Sequence, residues 1–123
     1  MTDIVRVGTS QRWSDVVIHA NVARWVEVTE TPGADARSQI GQVLQQIDAT
    51  LAQIGGDRSQ VLEVLIFLAD LGDAPILNEL WDAWVPRGHA PIRACVQAGL
   101  AAGYRVEMIV TAAAAERNLP MSH

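Results

Sequence analysis

The run Val61-Leu62-Glu63-Val64-Leu65-Ile66-Phe67-Leu68-Ala69 constrains the fold more than any other stretch of this chain. It is apolar at every position but Glu63, and too short and β-branched to suggest a helix. Read as a strand, it must be buried on both faces, because period-two alternation leaves no polar face to turn toward water. The elements available to cover it are few. Helical spacing of apolar residues occurs in two places, and two helices can cover only one face of a sheet.

The first helix is the most clearly written element. Ile40, Val43, Leu44, Ile47, Leu51 and Ile54 form one apolar stripe. Asp35 precedes it as an N-cap, able to accept from the free N–H groups of the first turn. Gly55-Gly56 ends it, since glycine takes the left-handed conformation past a helix end without a Cβ clash. Gln39, Gln42, Gln45, Gln46 and Asp48 fall between the apolar positions and are expected to face water. The second helix starts at Asp73 and Pro75, where a first-turn proline costs no hydrogen bond. Its stripe is Leu77, Leu80, Trp81 and Trp84, and Pro86 and Gly88 stop it.

The remaining elements read as strands. Ile4–Val7, Val16–Ile18 and Arg24–Val28 are short and β-branched, with a turn at Asn21 and a break at Thr31-Pro32-Gly33. Residues 91–98 and 105–112 flank a loop from Gly99 to Gly103. The order ββ(β)-α-β-α-β-β predicts an α+β sandwich of one sheet and one helix layer. The uncovered face of the 61–69 strand then calls for a second subunit, so the chain is expected to be a homo-oligomer closed through its sheets. Residues 1–115 are expected to form one domain, with 116–123 a flexible tail.

Composition removes several classes of function. The 123 residues carry a net charge of −5 and no lysine, so neither phosphate neutralisation nor Schiff-base chemistry fits. The basic residues are nine scattered arginines. No nucleic-acid or membrane partner is expected. The start Met1-Thr2-Asp3 lacks the layout of a signal peptide, and a cytoplasmic location is expected. One cysteine cannot make an internal disulfide. His19, His89 and His123 lack the paired spacing of a metal site, and none is expected.

Ala90-Pro91-Ile92-Arg93-Ala94-Cys95-Val96-Gln97 carries the candidate chemistry. On a strand Arg93, Cys95 and Gln97 share one face, with Ile92, Ala94 and Val96 on the other. An arginine directed at a sheet interior needs an anion, and its planar fork suits a carboxylate or phosphate. The other reading is an edge-strand arginine with its head in solvent. Glu107, on the next apolar run, and Asn78, beside the second helix's stripe, complete the sharpest set. Cys95 has no nearby histidine and reads as a packing residue. Trp13, after a loop, could wall a pocket.

These residues resemble the RidA/YjgF family, also described as reactive intermediate deaminases or endoribonuclease L-PSP proteins. The likeness runs from Arg12-Trp13-Ser14-Asp15 to about Ala113. It is carried by Gln42, Leu51 and Gly55, by Phe67-Leu68-Ala69-Asp70, by Asn78 with Trp81-Asp82-Ala83-Trp84, and above all by Pro91-Ile92-Arg93-Ala94-Cys95-Val96 with Val106-Glu107.

The resemblance implies a chorismate-mutase-like fold and a homotrimer with a central barrel and clefts at the subunit interfaces. It implies hydrolysis, without a cofactor, of 2-imino or enamine acids such as 2-aminoacrylate to 2-oxo acids and ammonia. Arg93 would then clamp the substrate carboxylate, the Cys95 backbone N–H would be a second donor, and Glu107 would hold the attacking water. Asn78 would lie near the cleft.

Three residues depart from the family pattern. Trp13 stands where a tyrosine is usual, and Val26-Glu27 where a Ser/Thr-Gly pair is usual. Glu27 could therefore enter the substrate site and pair with Arg93. A register one residue off would send it away from the cleft. A non-catalytic trimer that binds 2-oxo acids is the alternative function, and a chaperone-like role is a third.

Overall fold

The computed structural model describes residues 3–114, so the expected 116–123 tail and His123 lie outside the described residues. The strands are β1 Val5–Val7, β2 Val16–His19, β3 Val22–Val28, β4 Val61–Leu68, β5 Ile92–Gln97 and β6 Val106–Ala113, with helices α1 Ala36–Gln53 and α2 Ala74–Trp84. Short 3₁₀ turns at Arg58–Gln60 and Leu71–Asp73 lead into β4 and α2.

The strands form one six-stranded sheet in the order β1-β2-β3-β6-β4-β5. Neighbours run antiparallel except β4 and β5, which are parallel. Because β3 and β4 are both antiparallel to the β6 between them, β3, β4 and β5 are mutually parallel. Both helices therefore connect parallel strands, and the chain crosses the sheet in the same direction each time. Right-handed crossovers of this kind set both helices on one face. The expected α+β sandwich follows from that geometry.

Local chemistry places the turns. Ala20 and Asn21 take positive φ, 50° and 65°, the two-residue hairpin turn whose twist matches its flanking strands. Asp35 caps α1, its Oδ1 accepting from Ser38 N at 2.8 Å. Gly55, at φ 76°, turns the chain out of the helix, and Gly56 N donates to Leu51 O at 2.8 Å.

The core lies between the helix layer and one sheet face. Ile40, Val43, Ile47 and Leu51 of α1 and Leu77, Trp81 and Trp84 of α2 pack toward Val64, Ile66 and Leu68 of β4 and Val106, Met108 and Val110 of β6, all buried. Burying each large aliphatic side chain contributes about 1.5–3 kcal/mol. The opposite face is different. Leu65 and Phe67 are half-buried, while Val26, Ile92 and Val96 are 53%, 68% and 48% exposed. Within a single chain, therefore, the 61–69 run is covered on one face only, as two helices on one side of the sheet lead one to expect.

The polar side of α1 is a second departure. Gln45 faces water as expected, but its neighbours do not. Gln42 accepts from Glu30 N at 2.9 Å and from the hydroxyls of Thr29 and Thr31. Asp48 takes a two-pronged hydrogen bond from Arg58, at 2.8 Å on each oxygen, and a third from Trp84 Nε1 at 3.1 Å. Gln39 is completely buried. Its Nε2 donates to Ala34 O and Gly103 O, and its Oε1 accepts from Arg105 N, each at 2.8 Å. Arg105 also reaches Asp73 Oδ2 at 2.7 Å. The Gln39 and Arg105 bonds together dock the 98–105 loop onto the starts of α1 and α2. Hydrophobic periodicity marks the apolar stripe but not the loops that settle on the other side.

Gln39→Ala is expected to lower unfolding free energy by about 2–4 kcal/mol, because it strands buried backbone groups and leaves a cavity. Denaturant titration checks this; a loss no larger than the ~0.5 kcal/mol typical of surface changes would contradict it.

Candidate functional site

β5 is an edge strand, paired only with β4, and its register places Arg93 beside Val64, Cys95 beside Ile66 and Gln97 beside Leu68. These partners are buried under the helices, so Arg93, Cys95 and Gln97 lie on the helix face, sharing one side as the alternation predicts. Arg93 is exposed, and its guanidinium carbon sits 5.4 Å from the centroid of the Trp81 ring. The three ion pairs among the described residues are Arg37–Glu79, Arg58–Asp48 and Arg105–Asp73. Arg93 is in none of them. Stacking on an aromatic face holds the fork while leaving its N–H donors for an anion.

Asn78 is exposed on α2, one turn before Trp81 and so on the same side of the helix. Cys95 is half-buried, and burial pushes its thiol above the ordinary range, with the Arg93 charge opposing that rise only in part. An activated thiol would shift the other way. Packing explains Cys95, as the sequence suggested.

The second feature is a notch at the other end of the sheet. β2 pairs with β3 only at Val22–Arg24, so the edge of β3 from Trp25 onward lacks a β2 partner. There Trp13, Val26, Glu27, Thr50, Tyr104 and Glu107 help to line a pocket of about 810 Å³. Trp13 is 64% exposed and does wall a pocket. Alternation on β3 turns Trp25 and Glu27 inward and Val26 and Val28 outward. Glu27 is buried, its Oε1 accepting from Trp25 Nε1 at 3.0 Å and Thr50 Oγ1 at 2.6 Å, and its Oε2 from Gln46 Nε2 at 3.1 Å. Within the chain its carboxylate is held by these donors and not by Arg93.

Glu107 pairs in register with Val28 and Phe67, on the face without helices. Arg93 is on the helix face, and β4 separates its strand from β6. One chain therefore does not bring the two together. Trp13, Glu27 and Glu107 share the notch; Arg93, Cys95 and Asn78 lie outside its lining. Trp25, Gln46, Thr50 and Tyr104 are pocket or network residues that sequence reading missed. The two-residue spacing of Trp25 and Glu27 and the four-residue spacing of Gln46 and Thr50 were the available signals. Among the described residues no cluster of three or more His, Cys, Asp or Glu could hold a metal, and no helix is long and apolar enough to cross a membrane.

The model of the Endoribonuclease L-PSP family matches residues 5–114. The chain belongs to this family. A RutC family protein of Escherichia coli, YoaB, is 49% identical over 111 residues, covering 89% of this chain and 97% of that protein. The crystal structure of a YjgF-family protein from Neisseria meningitidis superposes with a TM-score of 0.85 at 40% identity, over 93% of this chain and 97% of that one. The 3-aminoacrylate deaminase RutC of Acinetobacter baylyi is 38% identical over 66 residues, 54% of this chain and 52% of that protein. The six-stranded sheet with two helices is the architecture of YjgF-family structures, and the family reading made from the Arg93 strand holds.

Iodoacetamide is expected to alkylate Cys95 at pH 8 several-fold more slowly than free cysteine, since a raised pKa leaves less thiolate. A rate above that of free cysteine would show an activated thiol.

Proposed function

We propose that this L-PSP family protein hydrolyses reactive 2-imino and enamine acids to 2-oxo acids and ammonia, without a cofactor, in clefts between the subunits of a homotrimer. The observation that carries this reading is Arg93: an exposed guanidinium braced on Trp81 at a sheet edge, with no carboxylate among the described residues paired to it. A small carboxylate is the natural occupant. The 3-aminoacrylate deaminase among the relatives supports C–N hydrolysis on a small enamine acid.

The trimer accounts for the divided geometry. The apolar sheet face, with Val26, Ile92 and Val96 exposed, would be covered by neighbouring copies. The β5 edge of one copy would meet the notch of the next, bringing Arg93 toward Glu107. Arg93, with the Cys95 N–H, would fix the carboxylate. An enamine first tautomerises to its imine. Water held by Glu107 then adds to the imine carbon, giving its proton to the carboxylate, which passes it on to the nitrogen. The carbinolamine hydroxyl then gives its proton, through Glu107, to the amine, so that the C=O bond forms as the C–N bond breaks and ammonia leaves. An imine is already electrophilic, so positioning and water activation suffice without a covalent intermediate. A cytoplasmic setting, where amino-acid metabolism releases such imines, fits this reading.

Val26 and Glu27 favour a second reading, binding of a 2-oxo acid without turnover, because neither side chain supplies the hydroxyl usual there. The test generates an imino acid in situ with an amino-acid oxidase and follows its decay with and without this protein. Acceleration is expected; binding of 2-oxo acids with no acceleration would select the second reading. Arg93→Ala is expected to lower kcat/KM by about 10²- to 10³-fold, the scale of losing a charge-assisted clamp, with the trimer intact by sedimentation. An unchanged rate would remove Arg93 from the mechanism. Glu107→Gln is expected to cost about 10²-fold or more, the scale of a missing general base. Co-refolding the two inactive variants should restore part of the activity, since mixed trimers contain intact clefts. No recovery, with mixed trimers verified, would place both residues in one subunit's site.

A further inference from the structure

Glu27 is 9% exposed, and its three hydrogen-bond donors, the Trp25 indole, the Thr50 hydroxyl and the Gln46 amide, are all neutral. The notch lining contains no arginine or histidine, and the chain has no lysine. The ion pairs of the described residues use Glu79, Asp48 and Asp73. A carboxylate this far out of water is costly unless a positive charge accompanies it. The adjacent amide adds to the imbalance: Gln46 Nε2 donates to Glu27 Oε2 and, at 2.6 Å, to Val28 O, while its Oε1 is buried without a donor. Among the described residues, this corner has more acceptors than donors and no cation beside its carboxylate.

The rest of the notch has the same preference. Trp13, Trp25 and Tyr104 present aromatic surface, which attracts cations through its negative faces. Asp15 and Glu107 add carboxylates to the lining. The volume, about 810 Å³, is far more than a three-carbon acid fills.

We propose that Glu27 is the specificity-determining carboxylate of this pocket, and that the preferred imino acids carry a cationic ammonium or guanidinium at the end of the side chain. This rests on the imino-acid reading above: the partner copy's β5 edge holds the substrate carboxylate, Glu107 faces the imine carbon, and the side chain runs along the aromatic wall to Glu27. There the cation's N–H groups pair with Glu27 and supply donors to a corner rich in acceptors. A substrate of this class is charged at both ends, and the protein offers an opposite charge for each.

The experiment compares imines made in situ from arginine and from norleucine, whose side chain is long but uncharged. On wild-type protein, kcat/KM for the cationic imine is expected to exceed that for the neutral one by roughly tenfold or more, the scale of one desolvated charge pair. Glu27→Gln, which keeps the size and can still accept from Trp25 and Thr50, should bring that ratio close to one. Equal or better hydrolysis of the neutral imine by wild-type protein overturns the proposal while leaving the hydrolase reading in place, and needs no variant. Faster hydrolysis of both imines alike by Glu27→Gln also overturns it, because Glu27 would then be neutralising an arginine of a neighbouring copy. If neither imine is accelerated, calorimetry with the corresponding 2-oxo acids decides: tighter binding of the guanidinium-bearing acid upholds Glu27's role without turnover, and equal or absent binding removes it.

Discussion

The insertion of β6 between β3 and β4 governs the rest of this molecule. It makes β3 and β4 parallel, and β5 pairs parallel with β4 directly, so the two crossovers run the same way across the sheet and both helices settle on one face. Two consequences reach the functional site. One sheet face is left apolar and without a helix, and β5 is left at an edge with Arg93 stacked against α2. The registers on β4 then turn Arg93 and Glu107 to opposite sides, because alternation sends Val64 and Phe67, their respective neighbours, to opposite faces. The exposed apolar face follows from the topology and the divided polar residues from the register, and on the trimer reading proposed above a second copy against the sheet would answer both.

What could be read from the sequence follows the range of the interactions involved. The helices were legible because their stripes, caps and stops are local: Asp35, Gly55 and Pro75 act within a turn of the residues that they organise. The sharing of one face by Arg93, Cys95 and Gln97 was legible for the same reason. The side of the sheet on which Glu107 falls was not, since it depends on pairing with Val28 and Phe67 far away in the chain. The polar side of α1 misled for a related reason. Gln39 and Asp48 occupy positions that a helix on its own would give to water, yet Gly103, Arg105, Arg58 and Trp84 arrive from distant segments to bond them. Amphipathic spacing is informative about where carbon goes and says little about where amides and carboxylates go.

Val26-Glu27 has a definite geometry that local reading left open between two registers. Glu27 shares its face with Ala23 and Trp25, toward the helices, and Val26 takes the open face with Val28. The glutamate therefore does not project across the sheet face where neighbouring copies would meet, and it does not in itself block an arginine delivered there. It changes the inner wall of the notch, adding charge where the pattern of the family leads one to expect a glycine.

The setting of that charge is rigid. β3 supplies Trp25 and Glu27, α1 supplies Gln46 and Thr50, and hydrogen bonds tie the two elements together across the wall. Both carboxylate oxygens are held, so Glu27 is oriented before any ligand arrives and little ordering cost remains at binding. The same holding limits what Glu27 can do. An oxygen already shared between an indole and a hydroxyl is a poor general base for a water molecule, whereas a fixed negative charge needs no free lone pair to attract a cation. On the reading proposed above, the two glutamates of one pocket would take different tasks: Glu107, on the open face, would hold the water, and Glu27, in the wall, would face the substrate's far end.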